Sequence, residues 1–198
     1  MTFKNSVIIL LIFSCSCHAW VLTKEMQKEI NENKSAVAKN PKDPTLHFDL
    51  AITYAYTNFI LEGWDELKKA NNLDSNFKND AQNIYIQKVN QNPSDWKLRF
   101  RLAFAYYFSG NKKDAIKELE NVLAINPNNA FAYGYISLIY GEMGEIDNAI
   151  AAAKKGIKID YQIAALHLLL AEGYYKKGDS WNGFWERTTA VRLKMQGF

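Results

Sequence analysis

Three histidines, two cysteines and 21 acidic side chains are the residues of this 198-residue chain that could ligate a metal, attack a carbonyl or carry a proton. His18 stands at the end of an apolar leader, while His47 and His167 fall in different segments far apart in the chain. A metal centre needs several ligands converging on one point, so both are expected to pack or to line a groove rather than to coordinate. Gly178-Asp179-Ser180 has the composition of a nucleophile turn, but it lies between two helical patterns, where Gly, Asp and Ser are ordinary turn formers. Asp65-Glu66 and Glu142 with Glu145 could be written as acid and base, yet each pair sits at a helix end, where solvated carboxylates are common. The 10 glycines form neither a GxGxxG nor a P-loop cluster. The expectation is no catalytic group, no metal and no cofactor.

Cys15 and Cys17 belong to a different problem. Met1 to Ala19 has a short start carrying Lys4, then the unbroken apolar run Val7 to Phe13, then a small polar stretch ending Cys17-His18-Ala19. That three-part layout is expected of a secretory signal peptide, and its apolar run is far shorter than the ~20 residues a spanning helix needs. Cleavage after Ala19 leaves a chain that begins at Trp20 and has no cysteine. The alternative is lipidation, because Ile12-Phe13-Ser14-Cys15 resembles a bacterial lipobox in which Cys15 is acylated; Cys17 is the other candidate, and Phe13 departs from the pattern. The protein is therefore expected outside the cytoplasm, periplasmic or extracellular, free or tethered to a membrane by a lipid.

Composition narrows the class. Hydrophobic residues make up 48% of the chain and aromatic ones 14%, too much apolar surface for disorder. A net charge of +3 from 24 basic and 21 acidic side chains gives no footprint for nucleic acid.

The elements that would position any site repeat with a period of 34 residues. Leu102, Ile136 and Leu170 recur, followed by Ala103, Ser137 and Ala171, by Tyr106, Tyr140 and Tyr174, and by Gly110, Gly144 and Gly178. Ile116, Ile150 and Phe184 continue the series, then Leu123, Ile157 and Val191. Each copy holds two apolar stripes at i, i+3, i+4 spacing with the glycine between them, so each is two helices joined by a tight turn. Pro127, after Ile125-Asn126, stops the second helix.

A 34-residue helical hairpin with a Leu-Ala pair, a Tyr, a turn Gly, a small Ala and a closing Pro resembles the tetratricopeptide repeat. Residues 96 to 129 carry the pattern in Leu102-Ala103, Tyr106, Gly110, Ala115 and Pro127. Residues 130 to 163 have Tyr161 in place of the proline, and residues 164 to 197 drift toward a cap, with Trp181 and Trp185 expected to seal the last stripe. Leu50-Ala51 and Tyr54 repeat the signature one period plus about 18 residues earlier, room for one extra helix. The implied fold is all-α, a right-handed α-solenoid: a signal over 1–19, a helical region with one degenerate repeat over 20–94, and three repeats over 95–198. About ten helices and no strand are expected.

The resemblance implies a non-catalytic scaffold that holds a peptide or helix of a protein partner on the concave wall made by the first helix of each pair. Projected onto that wall, the lining is Lys97, Phe100, Phe104, Tyr107, Phe131, Gly134, Leu138, Leu168 and Tyr175, an aromatic groove. Gly134 and Gly141 would let a ligand chain approach the backbone. The Lys, Asn and Arg set of the chaperone-tail clamp is missing, with Phe100, Phe104, Tyr135, Ala165 and Leu169 in its places. A different reading makes the chain an envelope assembly component, lipid-tethered and using the repeats as a spacer.

Overall fold

The computed structural model describes residues 22–198; the expected signal segment over 1–19 and both cysteines lie outside the described residues. These form ten helices and no strand. In chain order they are α1 (Lys24–Lys39), α2 (Pro44–Ala55), α3 (Ile60–Leu73), α4 (Phe77–Gln91), α5 (Trp96–Phe108), α6 (Lys112–Ile125), α7 (Ala130–Glu142), α8 (Ile146–Ile159), α9 (Ala164–Lys176) and α10 (Ser180–Met195). The helices pack as successive hairpins, α2 on α3, α5 on α6, α7 on α8 and α9 on α10, each stacked on the next as in an α-solenoid. The extra helix is α4, which packs on α5 and fills the added 18 residues' worth of chain.

The hairpin turns show how a short signal makes one geometry three times. Gly110, Gly144 and Gly178 have φ of +89°, +79° and +79°, a region that costs glycine nothing. In each, the amide after the glycine bonds back to the carbonyl of the repeat tyrosine: Asn111 to Tyr106, Glu145 to Tyr140, Asp179 to Tyr174. This is the six-to-one closure of a Schellman motif. The α2–α3 turn closes the same way, Phe59 N–H to Tyr54 carbonyl at 3.1 Å, but with Asn58 at φ +63° in the glycine's place. Asparagine is the side chain that best tolerates that conformation.

Between hairpins, the chain uses a second recurring device. Asn40-Pro41, Asn92-Pro93 and Asn126-Pro127 end α1, α4 and α6, and Asp43, Asp95 and Asn129 then cap the following helix with their side-chain oxygens. One more column ties three of the four hairpins to their entry turns. His47 Nδ1 lies 2.5 Å from Glu66 and its Nε2 3.0 Å from the Pro41 carbonyl. His167 repeats this with Glu186 at 2.6 Å and the Tyr161 carbonyl at 2.9 Å. Arg99 makes the same pair of contacts, to Glu118 at 3.0 Å and the Pro93 carbonyl at 2.7 Å. The histidines are thus packing residues, each clamping the two helices of its own hairpin.

Candidate partner-binding surface

The concave wall at α5 is closed by the chain itself. Phe100 and Phe104 stack with ring centroids 5.4 Å apart, and both are fully buried. Tyr56, at the end of α2, packs edge-on to Phe100 at 5.4 Å; Tyr135 of α7 packs edge-on to Phe104 at 4.6 Å. The Tyr135 hydroxyl then donates to the Ala55 carbonyl at 3.3 Å, so α2 and α7 meet over α5. An aromatic groove needs open ring faces, and here those faces are spent on one another at ordinary edge-on and stacked distances.

The other expected groove residues are dispersed. Phe131 is buried. Gly134 is also buried, and a Cβ there would stand 3.1 Å from Leu166, so the missing side chain admits α9 rather than a ligand. Lys97 is half-buried and paired with Glu29 at 2.5 Å. Tyr107 donates to Glu142 at 2.6 Å, and burial with that carboxylate beside it pushes its phenol well up. The Tyr175 ring lies against Gly183, where a Cβ would meet it at 2.7 Å. Leu138 is half-buried beside Gly141 and Glu142 in a shallow notch of about 80 Å³ between α7 and α9. Leu168 alone of the nine is exposed.

A charged latch occupies the N-terminal end of this face. Glu29 of α1 accepts from Tyr56, from Lys97 at 2.5 Å and from Arg101 at 3.3 Å. Arg101 is nearly enclosed and also donates to Asp49 at 2.5 Å and to Thr53 at 3.1 Å. Burial works to raise the Glu29 carboxyl, but the bonds from Lys97 and Tyr56 and the charges of Lys97 and Arg101 outweigh it and hold the group below its ordinary range. Glu29 stands twelve residues before Pro41, the register at which Ala81 and Ala115 precede Pro93 and Pro127. Where α4 and α6 bury a methyl group, α1 turns a carboxylate toward α5.

An open cleft of about 660 Å³ lies between the α2–α3 turn and the last hairpin. Phe59, Ile60 and Leu61 form one lip; Ala165 and Leu168 of α9 form the floor; Val191, Met195 and Phe198 form the other lip. Leu61, Leu168, Val191 and Met195 are all exposed along it, with Glu62 and Lys194 as its only charged side chains. Its first lip lies outside the clean 34-residue series, so projecting the repeat onto one wall could not find it. The unusual Asn58 turn was the available signal.

The remaining chemical candidates are accounted for. Asp65 pairs with Lys68, and Glu66 with His47 and Lys69. Glu142 bonds Tyr107 and Lys112. Asp179 caps α10 through the Asn182 amide at 3.1 Å. Among the described residues no three His, Cys, Asp or Glu side chains gather as metal ligands, and no helix is long and apolar enough to cross a membrane.

The family description "Tetratricopeptide repeat" matches residues 79–135 and again residues 132–163. A curated relative, interferon-induced protein with tetratricopeptide repeats 2 of Cricetulus griseus, is 26% identical over an alignment of 129 residues that covers 54% of this chain; the match spans only 27% of that protein's length. Among solved structures, MamA 41-end from Desulfovibrio magneticus RS-1 superposes with a TM-score of 0.57 at 17% identity, covering 87% of this chain and 88% of its own. A second MamA structure gives 0.51 at 22% identity over 87% and 91%. YrrB, a TPR protein with an unusual peptide-binding site, gives 0.54 at 15% identity over 81% and 91%. Residues 79–163 carry tetratricopeptide repeats, and at these identities the solved structures attest the fold.

Proposed function

We propose that this chain is a non-catalytic scaffold which holds an apolar segment of a partner protein in the cleft between the α2–α3 turn and the α9–α10 hairpin. The observation that carries the reading is the row Leu61, Leu168, Val191 and Met195, which stays exposed around one concave space while the α5 aromatics are closed off. A cleft of several hundred Å³ with an apolar lining and few charges suits two or three side chains of a peptide helix. Its lining is mostly apolar, with Asn58, Glu62 and Lys194 as the polar side chains among the described residues around it, which suits an apolar segment better than a polar substrate.

A photo-crosslinking side chain placed at Leu168 in cells should yield discrete protein adducts. The same probe at Leu73, exposed at the end of α3, should not. Leu61→Glu should remove the Leu168 adducts and leave the helical circular dichroism unchanged. Equal labelling at both positions, or adducts indifferent to Leu61→Glu, would refute the cleft.

Export remains part of this proposal. It is supported by the leader's apolar run and the Ala19 boundary, and it is tested by mass spectrometry of the native N-terminus. A free Trp20 supports release, and a diacylglyceryl cysteine supports tethering.

A further inference from the structure

The extra helix leaves a space inside the array. Helix α4 has the register of a second helix, with Ala81 twelve residues before Pro93, although α3 ahead of it already fills that role for α2. It packs on α5 and barely meets α3. Between them lies a cavity of about 510 Å³, walled by α3, α4 and α5 and by Phe48 of α2. All four helices have neighbours on both sides in the chain, so the opening belongs to the middle of the array.

The interior of the cavity is apolar. Phe48 and Phe77 form a buried floor with ring centroids 5.7 Å apart, and Trp64 meets Phe108 edge-on at 5.8 Å to bridge α3 and α5. Ala70, Ala81 and Ala105 present only methyl groups to the space. The 34-residue counterparts of Ala105 are Ile139, which is itself buried, and Gly173, whose missing side chain is replaced by Ile150. Beside Ala105 the space stays open. Folded interiors rarely keep a void much larger than a water molecule, and a space of this size and lining is typical of sites for small apolar molecules.

The mouth carries one sign of charge. Among the described residues its polar side chains are Lys68, Asn71, Asn72 and Lys78, and no carboxylate lines it. Lys68 is paired with Asp65 at 3.3 Å and is left out of the count. Lys78 is not paired. The acids nearest to it in sequence both accept from Asn76 instead, Asp74 from its amide at 2.9 Å and Asp80 from its side chain at 3.3 Å. Among the described residues the side chains of Asn71, Asn72 and Lys78 have no hydrogen-bond or ionic partner.

We propose that this cavity binds a free fatty acid, its chain among the rings and alanines and its carboxylate at Lys78, Asn71 and Asn72. The occupant follows from an apolar floor beneath a mouth that only attracts anions. A neutral hydrocarbon would leave the donors unanswered, and a cationic amphiphile would be repelled by Lys78. A carboxylate has acceptor sites for all three side chains. The cavity shares no lining residue with the cleft of the proposed function, so the two sites are separable.

Calorimetric titration of the full chain, freed of bound lipid, with dodecanoate tests this. One site per chain is expected, with a dissociation constant on the order of 10 μM. Dodecanol and dodecyltrimethylammonium should bind at least about tenfold more weakly. Lys78→Glu should weaken dodecanoate binding about tenfold, while Lys78→Arg keeps it. Ala105→Ile, which installs the side chain its counterpart carries, should fill the cavity and abolish binding with the helical circular dichroism unchanged; if that variant unfolds, the Lys78 pair decides. Leu61→Glu should bind dodecanoate as the parent does. Absence of saturable binding below the micellar concentration overturns the proposal, as does equal affinity for dodecanol or binding indifferent to Lys78→Glu. Binding lost in Leu61→Glu overturns it by placing the ligand in the other cleft, and attachment to phosphatidylglycerol vesicles through Lys78 overturns it by assigning the cation to a membrane.

Discussion

Glu29 holds α1 in place with a carboxylate where neighbouring helices use a methyl group. Its burial is unfavourable by itself, and only the four donors around it make the arrangement stable. Because its folded-state proton affinity is lowered, the stabilisation is fully present above the unfolded glutamate value and is lost as pH falls through the folded one. Acid should therefore loosen α1 before the array unfolds, as pH drops below the ordinary 4.5. Limited proteolysis across that range should cut first between Lys28 and Lys39. Glu29→Ala should produce the same cutting at neutral pH, cost about 1–3 kcal/mol and abolish the pH dependence. Cutting that sets in as pH rises would contradict the sign.

At the level of the helical hairpin, the column His47, Arg99 and His167 shows three side chains performing one task. Each faces a carboxylate on the second helix and a backbone carbonyl in the entry turn. Both partners are acceptors, so the task calls for a side chain that donates twice, which guanidinium always does. His167→Arg should keep the melting temperature within a few degrees of the parent. His167→Ala should lower it by more, costing about 2–4 kcal/mol through the lost bonds and a cavity beside Glu186. Equal losses for the two variants would show that the position is filled for volume alone. The helices themselves were legible: the apolar spacing, the stop at Pro127 and the turn glycines mark the three successive hairpins from α5 to α10. Asn58 hid the first turn because a motif built on glycine does not register the one other residue that adopts its conformation comfortably.

Across the whole molecule, sequence periodicity specified which helices are neighbours and failed to specify how tightly the array curls. Curvature accumulates from small rotations at each interface, set by side-chain volumes such as those of Tyr56, Phe100 and Tyr135. The expected aromatic lining is closed for that reason: its rings pack on one another where Tyr135 of α7 reaches the Ala55 carbonyl of α2. The same closure should be visible in dynamics. The main apolar core runs from Phe48 to Leu166, whereas α1 is held by the small cluster of Ile30, Leu50 and Tyr54. In hydrogen exchange, α5 and α7 should be slowest, with α1 opening first. Tyr135→Phe deletes only the bond to the Ala55 carbonyl, a loss of about 0.5–1.5 kcal/mol. If α2 and α7 truly brace each other, exchange at the end of α2 should quicken, although that segment lies 80 residues away in the chain. A change confined to α7 and its sequence neighbours would mean that the contact closes the array without stiffening it.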